Sequence, residues 1–232
     1  MKAVRKHPRA VRWMHWANVP FLAVMVWSGL EIYWAHDPYR IGWGDWTLFH
    51  FFPQGFYRAL GLNQKLAEGM AYHFVFAWLF TLNGVAYALY TAFSGEWRHL
   101  VPRRLRDVRD ALRVTLHDLR LRKEKPRQGR YNAAQRFAYT GVVGLGVGMV
   151  LTGLAMYKPT QLAWLTALLG GYETARFLHF WTATGLVLFV LVHVLQVVRA
   201  GWSNFRSMVV GYEPVVPQVP VVPTDASSPP AP

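Results

Sequence analysis

Apolar residues along the chain gather into four long blocks separated by polar stretches. The blocks run over about Val11–Ala35, Ala71–Phe93, Phe137–Tyr157 and Arg176–Val198. Each is close to the roughly 20 residues that cross hydrocarbon as a helix. Few ionisable residues interrupt them, and a helix pairs its own backbone groups where no water can. The pattern predicts an all-α, polytopic membrane protein, a four-transmembrane-helix bundle occupying residues 1–212. The first block follows basic residues, as the core of a signal peptide does. It is longer than such a core, rich in Trp and without a small-residue cleavage site, so it reads as a helix of the mature protein.

The segments between the blocks have their own patterns. In Trp97–Lys125, the residues Leu105, Val108, Leu112, Leu116 and Leu119 recur at helical spacing with arginines opposite, which predicts a basic amphipathic helix along a membrane surface. Its alternative use is a docking surface for another subunit. The loop His36–Gly69 is aromatic and carries Gly/Pro turns, with Asn63–Gly69 leading helically into the second block. An interfacial aromatic belt and a partner-docking loop both fit that composition. Residues 213–232 carry repeated prolines, which build neither helix nor sheet and predict a disordered tail outside the bundle.

Composition adds two constraints. The 232 residues are 53% hydrophobic with 11 Trp and no Cys. Without cysteine the chain can form no disulfide, hold no iron–sulfur cluster and attach no c-type haem. The net charge of +13 is uneven. Lys2, Arg5, Lys6, Arg9 and Arg12 precede the first block, and Arg98–Arg130 holds twelve Lys/Arg against four acids. Arg199 and Arg206 follow the fourth block, whereas the second and fourth blocks are approached from loops with only Arg40, Arg58 and Lys65, and Lys158. The positive-inside rule places both termini and the middle loop in the cytoplasm. Topology thus accounts for the basic charge without nucleic acid.

Given that topology, four histidines acquire matched depths. His15 begins the first helix at the inner side, and His193 ends the fourth there. His73 and His179 begin the second and fourth helices at the outer side. His179 and His193 are fourteen residues apart, an advance of ~21 Å with the second histidine rotated by only ~40° from the first. Both face one side of the fourth helix. Imidazole in a membrane needs a reason, and two bis-histidine haem b sites, His73/His179 and His15/His193, supply one. Two nitrogen ligands saturate the iron and favour electron transfer over oxygen chemistry. Gly141, Gly144, Gly146 and Gly148 in the third block suit either close approach of a macrocycle or helix packing through Gly144-x-x-x-Gly148. His7, His36, His50, His99 and His117 lie outside the blocks and read as polar or interfacial residues. Arg9, Arg12 and Arg136 are candidates to meet haem propionates at the inner face.

The segments RHPRAVRWMHWANVPFLAVMVWSGL around His15, AYHF around His73, RYNAAQRFAYTGVVGLGVGMVLTGLAMY, and RFLHFWTATGLVLFVLVHV around His179 and His193 resemble a group of bacterial cytochromes. These are the cytochrome b subunits of respiratory NiFe-hydrogenases, the gamma subunits of formate dehydrogenase, and the bacterial cytochrome b561-type proteins. The likeness covers about Arg5–Tyr212 and leaves out the proline-rich end. It implies a bacterial inner-membrane subunit that exchanges electrons between quinone and a hydrophilic redox partner of iron–sulfur, molybdopterin or hydrogenase type. In the formate dehydrogenase type an Asn-x-Gly-Gln motif lies at the quinone site. Here Asn132-Ala133-Ala134-Gln135 stands in its place, so Asn132 and Gln135 are the implied quinone contacts and Ala134 replaces the glycine. Helix capping is the other use of this pair.

The reading is a dihaem b membrane subunit of a respiratory oxidoreductase, with its partner on the periplasmic side at the aromatic outer loop. One rival is a stand-alone superoxide:quinone oxidoreductase of the same architecture. Another is a haem-free membrane anchor or small transporter whose histidines only bond between helices.

Overall fold

The computed structural model describes residues 3–5, 7–35, 39–43, 46–62, 64–102, 104–118, 120–121 and 132–214. Strand β1 (Ala3–Arg5) leads to the long helix α1 (Arg9–Tyr33). Strands β2 (Arg40–Trp43) and β3 (Trp46–His50) and the short helix α2 (Gln54–Ala59) follow. The second long helix, α3, spans Leu66–Ser94. Helices α4 (Trp97–Leu100) and α5 (Leu105–Asp118) precede α6 (Ala133–Tyr157). Helices α7 (Ala163–Leu168), α8 (Tyr172–Ala200) and α9 (Trp202–Val210) lead to β4 (Tyr212–Pro214).

All four apolar blocks are helices. Three of them, α3, α6 and α8, are long and apolar enough to cross a membrane by length and composition. Helix α1 is of similar length, but Arg9, Arg12, His15, Asn18, Ser28 and Glu31 dilute its apolar character. The long helices begin earlier than the apolar runs do. Polar first turns such as those holding Glu68 and Glu173 continue them beyond the apolar stretch. The predicted helix over Trp97–Lys125 divides into α4 and α5, with Pro102 between them where its missing N–H stops a helix.

The long helices stand as two pairs. Helix α1 lies along α3 and α6 lies along α8, whereas α8 makes no comparable backbone approach to α1 or α3. The α1–α3 seam is closed by polar bonds as well as rings. Asn83 donates to the Met14 carbonyl at 2.9 Å and to Asn18 Oδ1 at 2.8 Å. Glu31 is buried and accepts the Lys65 N–H at 2.9 Å, which satisfies a donor at the start of α3. The α6–α8 seam meets through small residues. A Cβ on Gly148 would lie 3.3 Å from Thr182 Cγ2, and one on Gly185 would lie 3.5 Å from Leu145 Cδ2. Gly144 has open space, so no Gly144-x-x-x-Gly148 pair packs this seam.

The two ends of the bundle differ. At the end that the charge pattern predicts to be outer, β2 and β3 form a bulged antiparallel hairpin. At the end predicted to be inner, β1 pairs with β4, from Ala3↔Pro214 to Arg5↔Tyr212. Glu213 and Pro214, assigned by sequence to the tail, therefore belong to this pairing, and the rest of the tail lies outside the described residues. Arg12 donates to the carbonyls of Met208 and Val209, and Trp16 Nε1 to Met208 at 3.2 Å. These bonds fill carbonyls that the end of α9 leaves unpaired. Helix α5 turns Val114 inward and holds Arg136 of α6 through Asp107 at 3.8 Å. Val108 and Leu112 stay exposed, the stripe that a lipid surface would take. Leu119 lies outside the described residues.

The α1–α3 seam depends on a missing side chain. A Cβ on Gly69 would stand 2.7 Å from Glu31 Cβ and 3.3 Å from the Ser28 carbonyl oxygen. Neither atom is the end of a flexible side chain, so the helices must part. Gly69→Ala is expected to lower stability by about 1–3 kcal/mol. Gly84→Ala, with nothing within 4 Å of its Cβ, should be neutral or gain up to about 1 kcal/mol from helix propensity. Thermal unfolding of both variants in detergent checks the contrast.

Candidate functional site

The four histidines occupy the faces that the two helix pairs turn toward each other. His73 and His179 each lie about two turns into α3 and α8. Their ring centroids are 6.3 Å apart with planes at 66°. At the other end, His15 of α1 and His193 of α8 have centroids 6.1 Å apart at 63°. Helix α8 therefore contributes one ring to each level, and the partners come from two helices of the opposite pair. The ring contacts at the two levels join histidine to histidine across a space that the backbones do not close.

The outer rings are held by hydroxyls. His73 Nδ1 lies 3.0 Å from Ser28 Oγ, and His179 Nδ1 lies 2.8 Å from Thr152 Oγ1. Each hydroxyl also reaches back along its own helix: Ser28 to the Val24 carbonyl at 2.7 Å, Thr152 to the Gly148 carbonyl at 2.6 Å. Two oxygens this close require the hydroxyl proton between them. The hydroxyl is then the acceptor for the ring, and Nδ1 carries a hydrogen that it donates. Nε2 keeps its lone pair, as a metal ligand must. Ser28 is fully buried and Thr152 nearly so, so no solvent competes for these bonds.

The surroundings leave room around both outer rings. Gly29 and Gly153 present backbone to them. A Cβ on Gly29 would be 3.7 Å from His73 Cε1, and one on Gly153 would be 3.4 Å from His179 Cε1. The inner rings sit among aromatics. Phe189 stacks on His193 at 6.1 Å and 7°, and Trp16 meets His15 edge-on at 5.3 Å. His15 Nδ1 is buried with no hydrogen-bond partner among the described residues. An orphaned polar atom in such a place points to a ligand or a group that reorients the ring.

The residues fit a haem at each level. Two imidazole nitrogens that each stand about 2 Å from one metal put their ring centroids roughly 6 Å apart, which both pairs match. The donors are imidazoles, the walls are apolar, and glycine backbone lies beside the outer rings. Axial ligation by two histidines is the arrangement of electron-transferring haems.

The outer level has an aromatic cover. Tyr39 packs on Phe180 at 4.6 Å, Tyr33 stacks on it at 5.3 Å, and Phe51 meets it at 5.7 Å and Trp181 at 5.8 Å. Arg176 bonds the Tyr39 hydroxyl and pairs with Glu173 at 2.5 Å. Burial nonetheless pushes the Tyr39 phenol above its ordinary pKa. Outside this cover the hairpin exposes Ile41, Trp46, Leu48 and Phe49.

Asn132 and Gln135 form a reciprocal capping box at the start of α6. Gln135 N–H donates to Asn132 Oδ1 at 2.7 Å, and Asn132 N–H donates to Gln135 Oε1 at 3.0 Å. The capping reading of these residues is therefore realised, through their oxygens. Of the candidate propionate partners, Arg12 is engaged by α9 and Arg136 by Asp107. Arg9 lines a small cleft with His7, Arg12 and Tyr212. Among the described histidines outside the apolar blocks, none joins the four. Ser28, Thr152, Gly29 and Gly153 are the site residues that sequence reasoning missed. The available signal was a hydroxyl or a glycine inside an apolar block at the depth of a histidine.

A putative protein-methionine-sulfoxide reductase subunit, YedZ1, of Azospira oryzae is 35% identical over 196 residues, which cover 82% of this chain and 89% of the relative. The family profile for prokaryotic cytochrome b561 matches residues 6–211. The chain belongs to the prokaryotic cytochrome b561 family, and is a multi-pass membrane haem b protein of electron transfer.

Proposed function

We propose that the chain is the dihaem b membrane subunit of a respiratory oxidoreductase, moving electrons across the bacterial inner membrane between quinone and a hydrophilic partner. The observation that carries this is the pair of histidine contacts at two levels, 6.3 Å and 6.1 Å between centroids. In this reading α1 is the fourth span, both termini face the cytoplasm, and residues 1–212 are one domain. His73 and His179 hold the outer haem b, and His15 and His193 the inner one. Each haem, when bound, takes up and releases one electron at its iron. The chain's own work is to place the two groups within the reach of one helix, exclude water from them and keep every imidazole neutral. The relative's name describes it as a reductase subunit, which supports a partner chain here and adds methionine-sulfoxide reductases to the candidate partner classes. It also weighs against a stand-alone superoxide:quinone oxidoreductase. A haem-free anchor does not suit a family of haem proteins.

The purified chain is expected to hold two low-spin b haems, and His73→Ala and His193→Ala to remove different ones. Pyridine haemochrome analysis gives the count, and redox titration of each variant identifies the component lost. Fewer than two haems, or loss of the same component in both variants, overturns the assignment.

Quinone reacts at the inner side in this reading, beside the start of α6. The capping box uses the oxygens of Asn132 and Gln135, while their NH2 groups are donors of the kind a quinone oxygen needs as it gains charge. The doubly substituted Asn132→Leu, Gln135→Leu chain is expected to keep its haem and to be reduced by a quinol analogue at least tenfold more slowly. Unchanged stopped-flow kinetics at full haem content would place quinone elsewhere.

The partner docks on the outer hairpin, where exposed Trp46, Leu48 and Phe49 surround the aromatic cover of His179. Trp46→Ser with Leu48→Ser is expected to weaken partner reduction while leaving quinol-driven haem reduction intact. Crosslinks that fall instead on the basic helix α5 would reverse the docking side.

A further inference from the structure

We infer that Ser28 and Thr152 are positioning residues that act through His73 and His179 to hold the outer haem at a lower potential than two unbonded imidazoles would give it. The inference rests on the bis-histidine reading proposed above.

The argument starts from the two hydroxyl bonds. Each outer ring donates its Nδ1 hydrogen to a hydroxyl oxygen, at 3.0 Å for Ser28 and 2.8 Å for Thr152. Each of those hydroxyls is itself a donor, to Val24 at 2.7 Å and to Gly148 at 2.6 Å. A hydroxyl whose own proton is drawn toward a carbonyl is a better acceptor, because bonds in such a chain polarise one another. An imidazole that donates from Nδ1 gains electron density at Nε2 and becomes the more basic ligand. Greater basicity favours the higher charge on iron, so the oxidised state is stabilised and the potential falls.

The inner level lacks this arrangement. Among the described residues, buried His15 Nδ1 has no hydrogen-bond partner and no hydroxyl meets His193. Phe189 and Trp16 set aromatic rings against His193 and His15 instead. The same four ligand side chains are thereby given two electronic environments. The hydroxyls set a difference between the two levels that the ligands alone would not produce.

The bonds also fix geometry. Ser28 comes from α1 and Thr152 from α6, while the rings they hold come from α3 and α8. Each hydroxyl belongs to the helix packed beside that of its histidine. Repacking of either seam would shift a hydroxyl from its ring, so the tuning is coupled to the packing of each helix pair.

The test is redox potentiometry on the intact chain in detergent, with EPR of the oxidised low-spin haems as a second reading. Ser28→Ala and Thr152→Val should each shift the outer haem to a more positive potential at full haem content, the double variant further, with the inner haem unmoved. Thr152→Ser, which keeps the acceptor, should restore the wild-type potential. Should Ser28→Ala empty the outer site, Ser28→Cys carries the test, since a thiol of nearly the same size is a weak acceptor. The outer component should then titrate more positive with its low-spin signal kept. No shift in these variants, or an equal shift in both haems, overturns the inference. Failure of the underlying reading looks different, because the unsubstituted chain would then hold fewer than two haems.

Discussion

An imidazole inside hydrocarbon is costly wherever a nitrogen goes unanswered, because no water is present to pair it. The outer rings meet this constraint through the helices packed beside them, whereas His15 Nδ1 finds no partner among the described residues. For the outer pair the Nδ1 hydrogen is taken by a hydroxyl of the neighbouring helix. The two ring centroids stand 6.3 Å apart, a spacing suited to one metal between them. Two helices could present two rings, but each outer ring needs a second helix to hold it. The outer pair of histidines thus engages all four long helices.

Within each pair, close packing is obtained by different means. Between α1 and α3 the contact is polar at both ends, with Asn83 reaching Met14 and Asn18, and Glu31 reaching the start of α3. Gly69 allows the Glu31 end to close. Between α6 and α8 the contact is made by Gly148 and Gly185 against Thr182 and Leu145. The first pair carries its polar groups at a cost to apolar character, which is why α1 alone of the four reads as a weak span. Those same polar residues, His15, Asn18, Ser28 and Glu31, are the ones that build the seam and the site.

The two histidine pairs were legible because a histidine is rare in an apolar run and because depth, once charge has fixed direction, pairs them, and the structure brings the same rings together. The hydroxyls were not. Ser and Thr in membrane helices commonly bond their own backbone, as Ser28 and Thr152 do, so their presence alone carries little information. Only the structure shows that the same oxygen also receives an imidazole. The helix ends were underestimated for a related reason: an apolar window ends where the hydrocarbon does, while α3 and α8 continue into polar first turns. The hairpin β2–β3 was hidden by its aromatics, which suit a strand and a membrane interface equally. For Asn132 and Gln135, the sequence offered capping and quinone contact as alternatives. The geometry shows capping through the oxygens, and chemistry leaves the NH2 groups for the second role, so the two uses do not compete.

The two ends of the bundle are built for different neighbours. Tyr33, Tyr39 and Phe51 close over Phe180 at the outer end, which separates the His179 level from solvent by a thin layer of rings and leaves apolar strand residues outside it. At the inner end, cationic and aromatic side chains of α1 tie down α9, and β1 joins β4. That tie fixes the inner histidine of α8 relative to α1, the helix that carries its partner, although the two helices do not pack along their length. At the outer level the rings are instead oriented within each helix pair, by hydroxyls from α1 and α6. The inner rings are thus placed by the ends of their helices and the outer rings by hydrogen bonds, and a disturbance of the termini should be felt at the inner level first.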